Sequence, residues 1–203
     1  MVICGAKQVD ITPPIGIPLA GYGARKENSR GIHDPLLAQT IYLNDSFHEL
    51  LLVGLDLVAV DADFVAQIRK EIYQSLEITP EAVLVCCTHT HSGPDGYCNA
   101  FPRESTNISS PLRQNTVEKI VGAASWAKTS SQEAIFSYGK VKVADICLNR
   151  IDPLKESDKD LSILKIEGED RILALLVNYG CHPTVMGPEN LFISADLPGA
   201  ARK

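Results

Sequence analysis

Residues 82–94 read AVLVCCTHTHSGP, an apolar run followed by two histidines and a Gly-Pro turn. The run is short, contains β-branched residues and lies between Pro80 and Gly93-Pro94, which favours a buried strand over a helix. If the strand continues to His91, the side chains of His89 and His91 share one face, because strand side chains repeat every two residues. The stretch therefore predicts a strand whose end carries a metal or acid/base site.

A second stretch repeats this pattern. Residues 172–184 read ILALLVNYGCHPT, an apolar strand that leads into His182 and a proline-containing turn. Neutral imidazole is the usual zinc ligand, and a catalytic zinc takes about three protein ligands plus water. The spacing leaves two interpretations open: the three histidines share a metal, or each bonds to nearby backbone at its own strand end.

The segments before residues 82–94 alternate as in an α/β fold. Strands are predicted over residues 2–11, 37–43 and 49–57, and turn residues 44–46 join the last two into an antiparallel hairpin. A helix begins at residues 61–63. Its apolar face carries Val65, Ile68, Ile72 and Leu76 at helical spacing.

The second half of the chain continues the alternation. A helix is predicted over 112–128, a long strand over 133–147, and a hairpin over 161–166 and 171–177. A new helix begins in the last residues. The fold class is therefore α/β, with mixed β-sheet layers and helices packed outside.

Two loops are predicted to lie near the site. The Gly- and Pro-rich residues 15–23 carry apolar side chains, which indicates an ordered loop against a cleft wall. The polar residues 97–111 are long for a connector and are expected to contact a ligand.

Composition limits the classes of function. The 203 residues carry a net charge of −6, which argues against nucleic acid as the main partner. The longest apolar runs are strand-sized, so neither a secretion signal nor a transmembrane segment is predicted. The six cysteines form no Cys-x-x-Cys pair, and we expect buried free thiols in a cytoplasmic protein.

Three further polar sites have two interpretations each. Ser194 is either a helix N-cap or a serine whose alkoxide the helix N-terminus favours. Asn149-Arg150 is either a solvated charge or a clamp on a carboxylate or oxyanion. Asp56, inside an apolar run, is either a structural hydrogen-bond acceptor or a carboxylate that orients a ligand histidine.

Taken in order, several motifs resemble the N-terminal part of the neutral/alkaline non-lysosomal ceramidase family, in its short bacterial form. The most specific is Thr-His-Thr-His-Ser-Gly-Pro at residues 88–94. The chain departs from the family at residues 194–197, where it reads SADL and the family usually has SGDN. The other motifs are DITPP at 10–14, GY at 21–22, GIH at 31–33, NR at 149–150, HPT at 182–184 and SAD at 194–196.

The family consists of zinc-dependent amidases that cleave the N-acyl bond of ceramide. The resemblance implies that His89 and His182 bind Zn²⁺ and that His91 contacts the reacting amide. It also implies catalytic roles for Arg150 and Ser194. The family's other metal ligands, a Glu and a Tyr, lie farther along than residue 203.

The resemblance further implies that residues 1–203 are the N-terminal part of a hydrolase domain in lipid, specifically sphingolipid, metabolism. Its substrate would be a small-molecule amide or lipid-amide. Such a part should expose apolar surface and could form a homo-oligomer. Two alternatives are a metal-free serine/histidine hydrolase and a non-catalytic binding or structural domain.

Overall fold

The computed structural model describes residues 1–98, 110–152 and 154–203. Over these ranges the chain forms three β-sheets and three α-helices, which confirms the α/β class. In chain order the elements are β1 (Ile3–Asp10), β2 (Gly31–Ile32), β3 (Leu37–Asn44), β4 (Glu49–Leu55), α1 (Ala62–Leu76), β5 (Val83–Cys87), α2 (Ser110–Thr129), β6 (Gln132–Glu133), β7 (Ile135–Lys142), β8 (Asp160–Glu167), β9 (Ile172–Tyr179), β10 (Phe192–Ile193) and α3 (Asp196–Ala201).

The largest sheet has the strand order β5-β4-β3-β1-β6. Strands β3 and β4 form the predicted antiparallel hairpin, while β4 and β5 are parallel and are joined by α1. Because parallel strands end at the same edge of a sheet, the segments that follow β4 and β5 lie side by side. The backbone N–H of Thr88 donates to the Leu55 carbonyl (2.9 Å), and that of His89 donates to the Leu57 carbonyl (3.0 Å).

Helices α1 and α2 pack against each other, and α2 lies on strands β1 and β3. The Asp61 carboxylate caps α1 by accepting the Phe64 N–H at 2.7 Å. The buried face of α1 carries Phe64, Ile68 and Ile72, so the predicted apolar face is buried at its two central positions, partly buried at Leu76 and displaced by one residue at its start. There the larger Phe64 ring enters the core, and Val65 is only partly buried. Among the described helices, none combines the length and the apolar character needed to cross a membrane.

The sheet β7-β8-β9 is antiparallel throughout, and β8 and β9 form the predicted hairpin. The single long strand predicted over 133–147 is wrong. The chain changes sheets at Ala134, since β6 pairs with β1 whereas β7 pairs with β8. Extended structure also stops at Lys142, and Asp145 beyond it has a left-handed φ of 64°.

The cysteines only partly follow the prediction. Cys147 and Cys181 form a disulfide with Cα atoms 5.6 Å apart, so the expectation of free thiols is wrong for this pair. The reason is topological: β7 and β9 run in the same direction on either side of β8, and their ends meet at one edge. The cytoplasmic location stays a prediction. Free thiols at positions 147 and 181 no longer support it, because these two cysteines are bonded to each other.

The predicted ligand-contacting loop over residues 97–111 lies mostly outside the described residues. The structure describes its first two residues, 97 and 98, and its last two, 110 and 111, which already belong to α2.

Candidate active site

Three histidines meet where the ends of two sheets converge. His89 and His91 follow β5, His182 follows β9, and one ring nitrogen of each lies within 4.8 Å of the others. The Nε2 atoms of His89 and His91 are 3.4 Å apart, and those of His91 and His182 are 2.7 Å apart. The two strand ends that carry the histidine patterns are therefore neighbours in space.

The pairing of His89 with His91 does not arise from a continued strand. Strand β5 ends at Cys87, and His89 has a left-handed φ of 66°, so the condition that the strand continues to His91 is not met. The Thr90 side chain instead turns inward and donates to the Ser194 carbonyl at 2.7 Å. The two imidazoles still meet, edge-on, with ring centroids 5.0 Å apart.

A backbone carbonyl fixes the orientation of His89. Its Nδ1 lies 2.6 Å from the carbonyl oxygen of Val58, in the segment that follows β4. Because a carbonyl oxygen can only accept, this contact assigns the proton to Nδ1 and leaves the Nε2 lone pair facing the other histidines. Metal-binding histidines in proteins are held by contacts of this kind.

Asp56 does not orient a histidine, so that interpretation is wrong and the structural one is confirmed. Its fully buried carboxylate accepts the Leu37 N–H (2.8 Å) and the Thr88 hydroxyl (3.1 Å). It also accepts two hydrogen bonds from the Arg202 guanidinium, at 2.9 and 2.5 Å. Asp56 thus ties β3, the start of the histidine segment and the last residues of the chain together.

The glycine- and proline-rich residues 15–23 form one wall of the site, as predicted, and are called the wall loop below. Its Ala20 N–H donates to the Gly93 carbonyl at 2.9 Å, and the Tyr22 ring meets the His91 ring edge-on with centroids 5.0 Å apart. Gly21 has a φ of +96°, and a Cβ there would lie 2.4 Å from the His91 ring. Only glycine meets both conditions at this position.

Burial and mutual repulsion lower the pKa of two of the three histidines, His91 and His182. Burial, and then the neighbouring His182 and His89, lower the pKa of His91 to about 4. Burial, His89 and the positive charge of Arg150 lower the pKa of His182. Neutral rings expose the lone pairs that a metal ion needs.

The donor set fits a divalent metal ion. Two nitrogens on one tetrahedral zinc lie about 3.4 Å apart when each zinc–nitrogen bond is about 2.1 Å. The Nε2 atoms of His89 and His91 have this separation, whereas those of His91 and His182 are closer, at 2.7 Å, and all three ring nitrogens lie within 4.8 Å of one another. His182 is the exposed member, so the cluster is open to solvent on its side.

Arg150 lies on this open side. It is exposed, and its charge reaches His182 strongly enough to lower the pKa of that ring. No hydrogen bond joins Arg150 to the three histidines within the described part of the chain. The predicted role of Arg150 as a substrate clamp stays a prediction.

Ser194 lies behind the cluster and is 1% exposed. Its hydroxyl donates to the Asp34 carboxylate at 2.6 Å and accepts the Asp196 N–H at 2.9 Å. Burial alone would raise the pKa of Asp34, but hydrogen bonds from His33, Ser194 and Ala195 hold it below its usual value. These contacts direct the Ser194 hydroxyl towards a carboxylate, and its predicted catalytic role stays a prediction.

Comparison with known proteins places this site in a family. Residues 3–203 match the model of the neutral/alkaline non-lysosomal ceramidase family, N-terminal region. The chain belongs to this family. The match covers nearly all of the chain, including the three histidines and the loops around them.

Individual relatives agree with this family assignment. A neutral ceramidase from Mycobacterium tuberculosis (strain ATCC 25618 / H37Rv) is 24% identical over 210 residues, covering 90% of this chain and 32% of the relative. The crystal structure of neutral ceramidase from Pseudomonas aeruginosa superposes with a TM-score of 0.88 at 20% identity, over 98% of this chain and 35% of that one. A structure described as ceramidase complexed with C2 gives 0.85 at 21% identity, over 98% and 34%. The chain thus has the ceramidase fold and spans about a third of each of these relatives.

For several residues that shape the site in this ceramidase-family chain, the sequence alone did not assign the contacts that they make. Arg25 is 4% exposed and donates to the backbone carbonyl of His91 at 2.9 Å, yet its sequence context indicates only a polar loop. Asp34 and Asp196 lie within family motifs or directly beside them, but no spacing rule assigns them contacts. Gly21 carried a usable signal, because glycine is the usual residue where the backbone must approach a neighbouring group closely.

Proposed function

We propose that this chain supplies the metal-binding part of a zinc-dependent amide hydrolase that resembles neutral ceramidase. The observation that carries the proposal is the convergence of His89, His91 and His182, with one nitrogen of each within 4.8 Å of the others. Membership of the ceramidase family supports the same reaction class.

Each histidine has a proposed role. His89 and His182 hold the metal, and the Val58 carbonyl fixes the ligand face of His89. His91, which is neutral at pH 7, contacts the reacting amide by hydrogen bonding. A bound zinc ion would lower the pKa of its water ligand to about 7 and polarise a substrate carbonyl.

Arg150 and Ser194 are assigned different roles. The exposed Arg150 would stabilise negative charge that develops on the amide oxygen. Two contacts of Ser194 support a bracing role. Its hydroxyl donates to the Asp34 carboxylate, and its backbone carbonyl accepts from Thr90, the residue between the two histidines. The bond to Asp34 gives no support to the metal-free serine/histidine alternative.

The proposed substrate is an amide with an acyl chain, either a ceramide or a simpler lipid-amide. The relatives named neutral ceramidase support the first, and the exposed side of the cluster at His182 is accessible to either. Self-association through exposed apolar surface is also proposed. Size-exclusion chromatography that shows a clean monomer would contradict that last point.

The test measures zinc and activity together. The zinc-loaded protein is incubated with N-acylsphingosine and with a simple N-acyl amide, and fatty-acid release is quantified. We expect His89→Ala to lose zinc binding and turnover, because it removes a ligand. His48→Ala is the matched control, since His48 is an exposed histidine that pairs only with the nearby Asp45 in the described structure.

The alternatives predict different results. Turnover that persists after chelation would favour a metal-free hydrolase. A wild-type protein that binds no zinc and releases no fatty acid would favour a binding or structural domain.

A further inference from the structure

The segment that carries His182 has no regular secondary structure of its own. Residues 182–191 leave β9 and run to β10 through turns, so few of their backbone groups are paired in a strand or helix. Such groups need other partners when they are shielded from water. Two buried charged side chains, Arg25 and Asp196, supply them and lie outside the proposed ligand set.

Arg25 supplies the donors. Its guanidinium donates to the carbonyls of Gly187 (3.2 Å) and Pro188 (3.3 Å) in this segment. It also donates to the carbonyls of His91 (2.9 Å) and Ala20 (3.1 Å). One side chain therefore joins the wall loop, the His89–His91 segment and the His182 segment, which are far apart in sequence.

Asp196 supplies the acceptors. Its carboxylate accepts the N–H groups of Val185 (3.2 Å) and Met186 (3.0 Å), two residues before the carbonyls that Arg25 holds. A buried cation thus binds the carbonyls of this turn, and a buried anion binds its amides. This turn, residues 185–188, begins only three residues after His182. The position of the turn therefore constrains the position of the His182 ring.

We propose that Arg25 is a positioning residue for the three-histidine cluster and that Asp196 supports the same turn. The proposal rests on the proposed function in that the cluster is a metal site. The planar guanidinium is required because its five N–H donors point in fixed directions towards several acceptors at once. A lysine ammonium keeps the charge but cannot reach carbonyls on three segments from one point.

The first test compares Arg25→Lys with Arg30→Lys. Arg30 lies five residues after Arg25 in the chain. Its side chain is exposed and pairs with Glu27, so it is a matched control. We expect Arg25→Lys to weaken zinc affinity by about 10–100-fold, the range for partners that orient metal ligands. We expect Arg30→Lys to leave the affinity unchanged. Equal affinities in the two variants would overturn the proposal.

A second measurement does not depend on metal. Histidine ring resonances are recorded by NMR in the metal-free protein, and Arg25→Lys should shift or broaden those of His91 and His182 while Arg30→Lys does not. If the wild-type protein binds no zinc, the proposed function fails but this comparison still decides the role of Arg25. Unchanged His91 and His182 resonances would overturn that role.

Asp196→Asn tests the other side of the turn. Asn tolerates the left-handed φ of 56° at this position and keeps one oxygen acceptor. We expect it to perturb His182 more than His91, in contrast to Arg25→Lys, which should perturb both. If either variant loses cooperative thermal unfolding, its residue supports the whole fold rather than the cluster, and the positioning role assigned to it is wrong.

Discussion

The two sheets that carry the histidines differ sharply in how they are packed. In the five-stranded sheet, Leu51, Val53 and Leu55 on β4 are fully buried under the helices. In the three-stranded sheet, Leu175 and Val177 on β9 are 54% and 52% exposed. His89 and His91 therefore extend from a packed core, whereas His182 extends from an exposed sheet and depends on polar contacts beyond it.

This difference assigns stability and site geometry to different parts of the molecule. Apolar burial supplies most of the folding free energy, so the five-stranded sheet should dominate stability. Buried hydrogen bonds and charges instead fix the segments that surround the cluster. Damage to those contacts should alter the site before it unfolds the chain.

The largest expected effect is a difference between the two sheets in the free energy of unfolding that is lost when an apolar side chain is shortened. Leu55→Ala removes a fully buried side chain and should lower the free energy of unfolding by about 2–5 kcal/mol. Val177→Ala should cost less than about 1 kcal/mol, because half of that side chain is already in water. Urea unfolding of both variants measures the two values. Similar losses would show that the exposed sheet contributes as much as the core.

A substitution in the wall loop should have an intermediate effect on stability and should also move the His91 ring. Gly21→Ala places a methyl group against the His91 ring at a φ of +96°, and should cost about 1–3 kcal/mol and displace the ring. Gly23→Ala is the control, because a Cβ there has no neighbour within 4 Å. Thermal unfolding and the His91 ring resonances report the two consequences. A Gly21→Ala protein with the wild-type values would contradict the described approach of loop and ring.

The smallest effect should be a pH dependence of the metal-free protein. The pKa of His91 is lowered to about 4 in the folded state, against about 6.5 when unfolded. Its contribution to stability is therefore fully present above about pH 6.5 and is lost as the pH falls towards 4. Urea unfolding at pH 7 and 5.5 should show a small loss of stability. His91→Gln should flatten this slope, and an unchanged slope would show that other groups cause it.

Much of the fold was predictable because its signals are local. The helical spacing of apolar residues in α1 and α2, and the hairpins β3–β4 and β8–β9, depend on neighbours along the chain. The errors arose where contacts distant in sequence decided the outcome. The break between β6 and β7 depends on two different partner strands, and the Cys147–Cys181 disulfide depends on strand order within a sheet.

The site divides in the same way. The sequence by itself determined which residues could bind a metal, since imidazole chemistry and the two strand-end patterns are local properties. Only the tertiary structure decided that His89, His91 and His182 meet, that Val58 rather than Asp56 orients His89, and that Arg25 joins three segments. The physical reason is that these contacts join residues remote in sequence, and buried polar groups take whichever partners the packed sheets bring within reach.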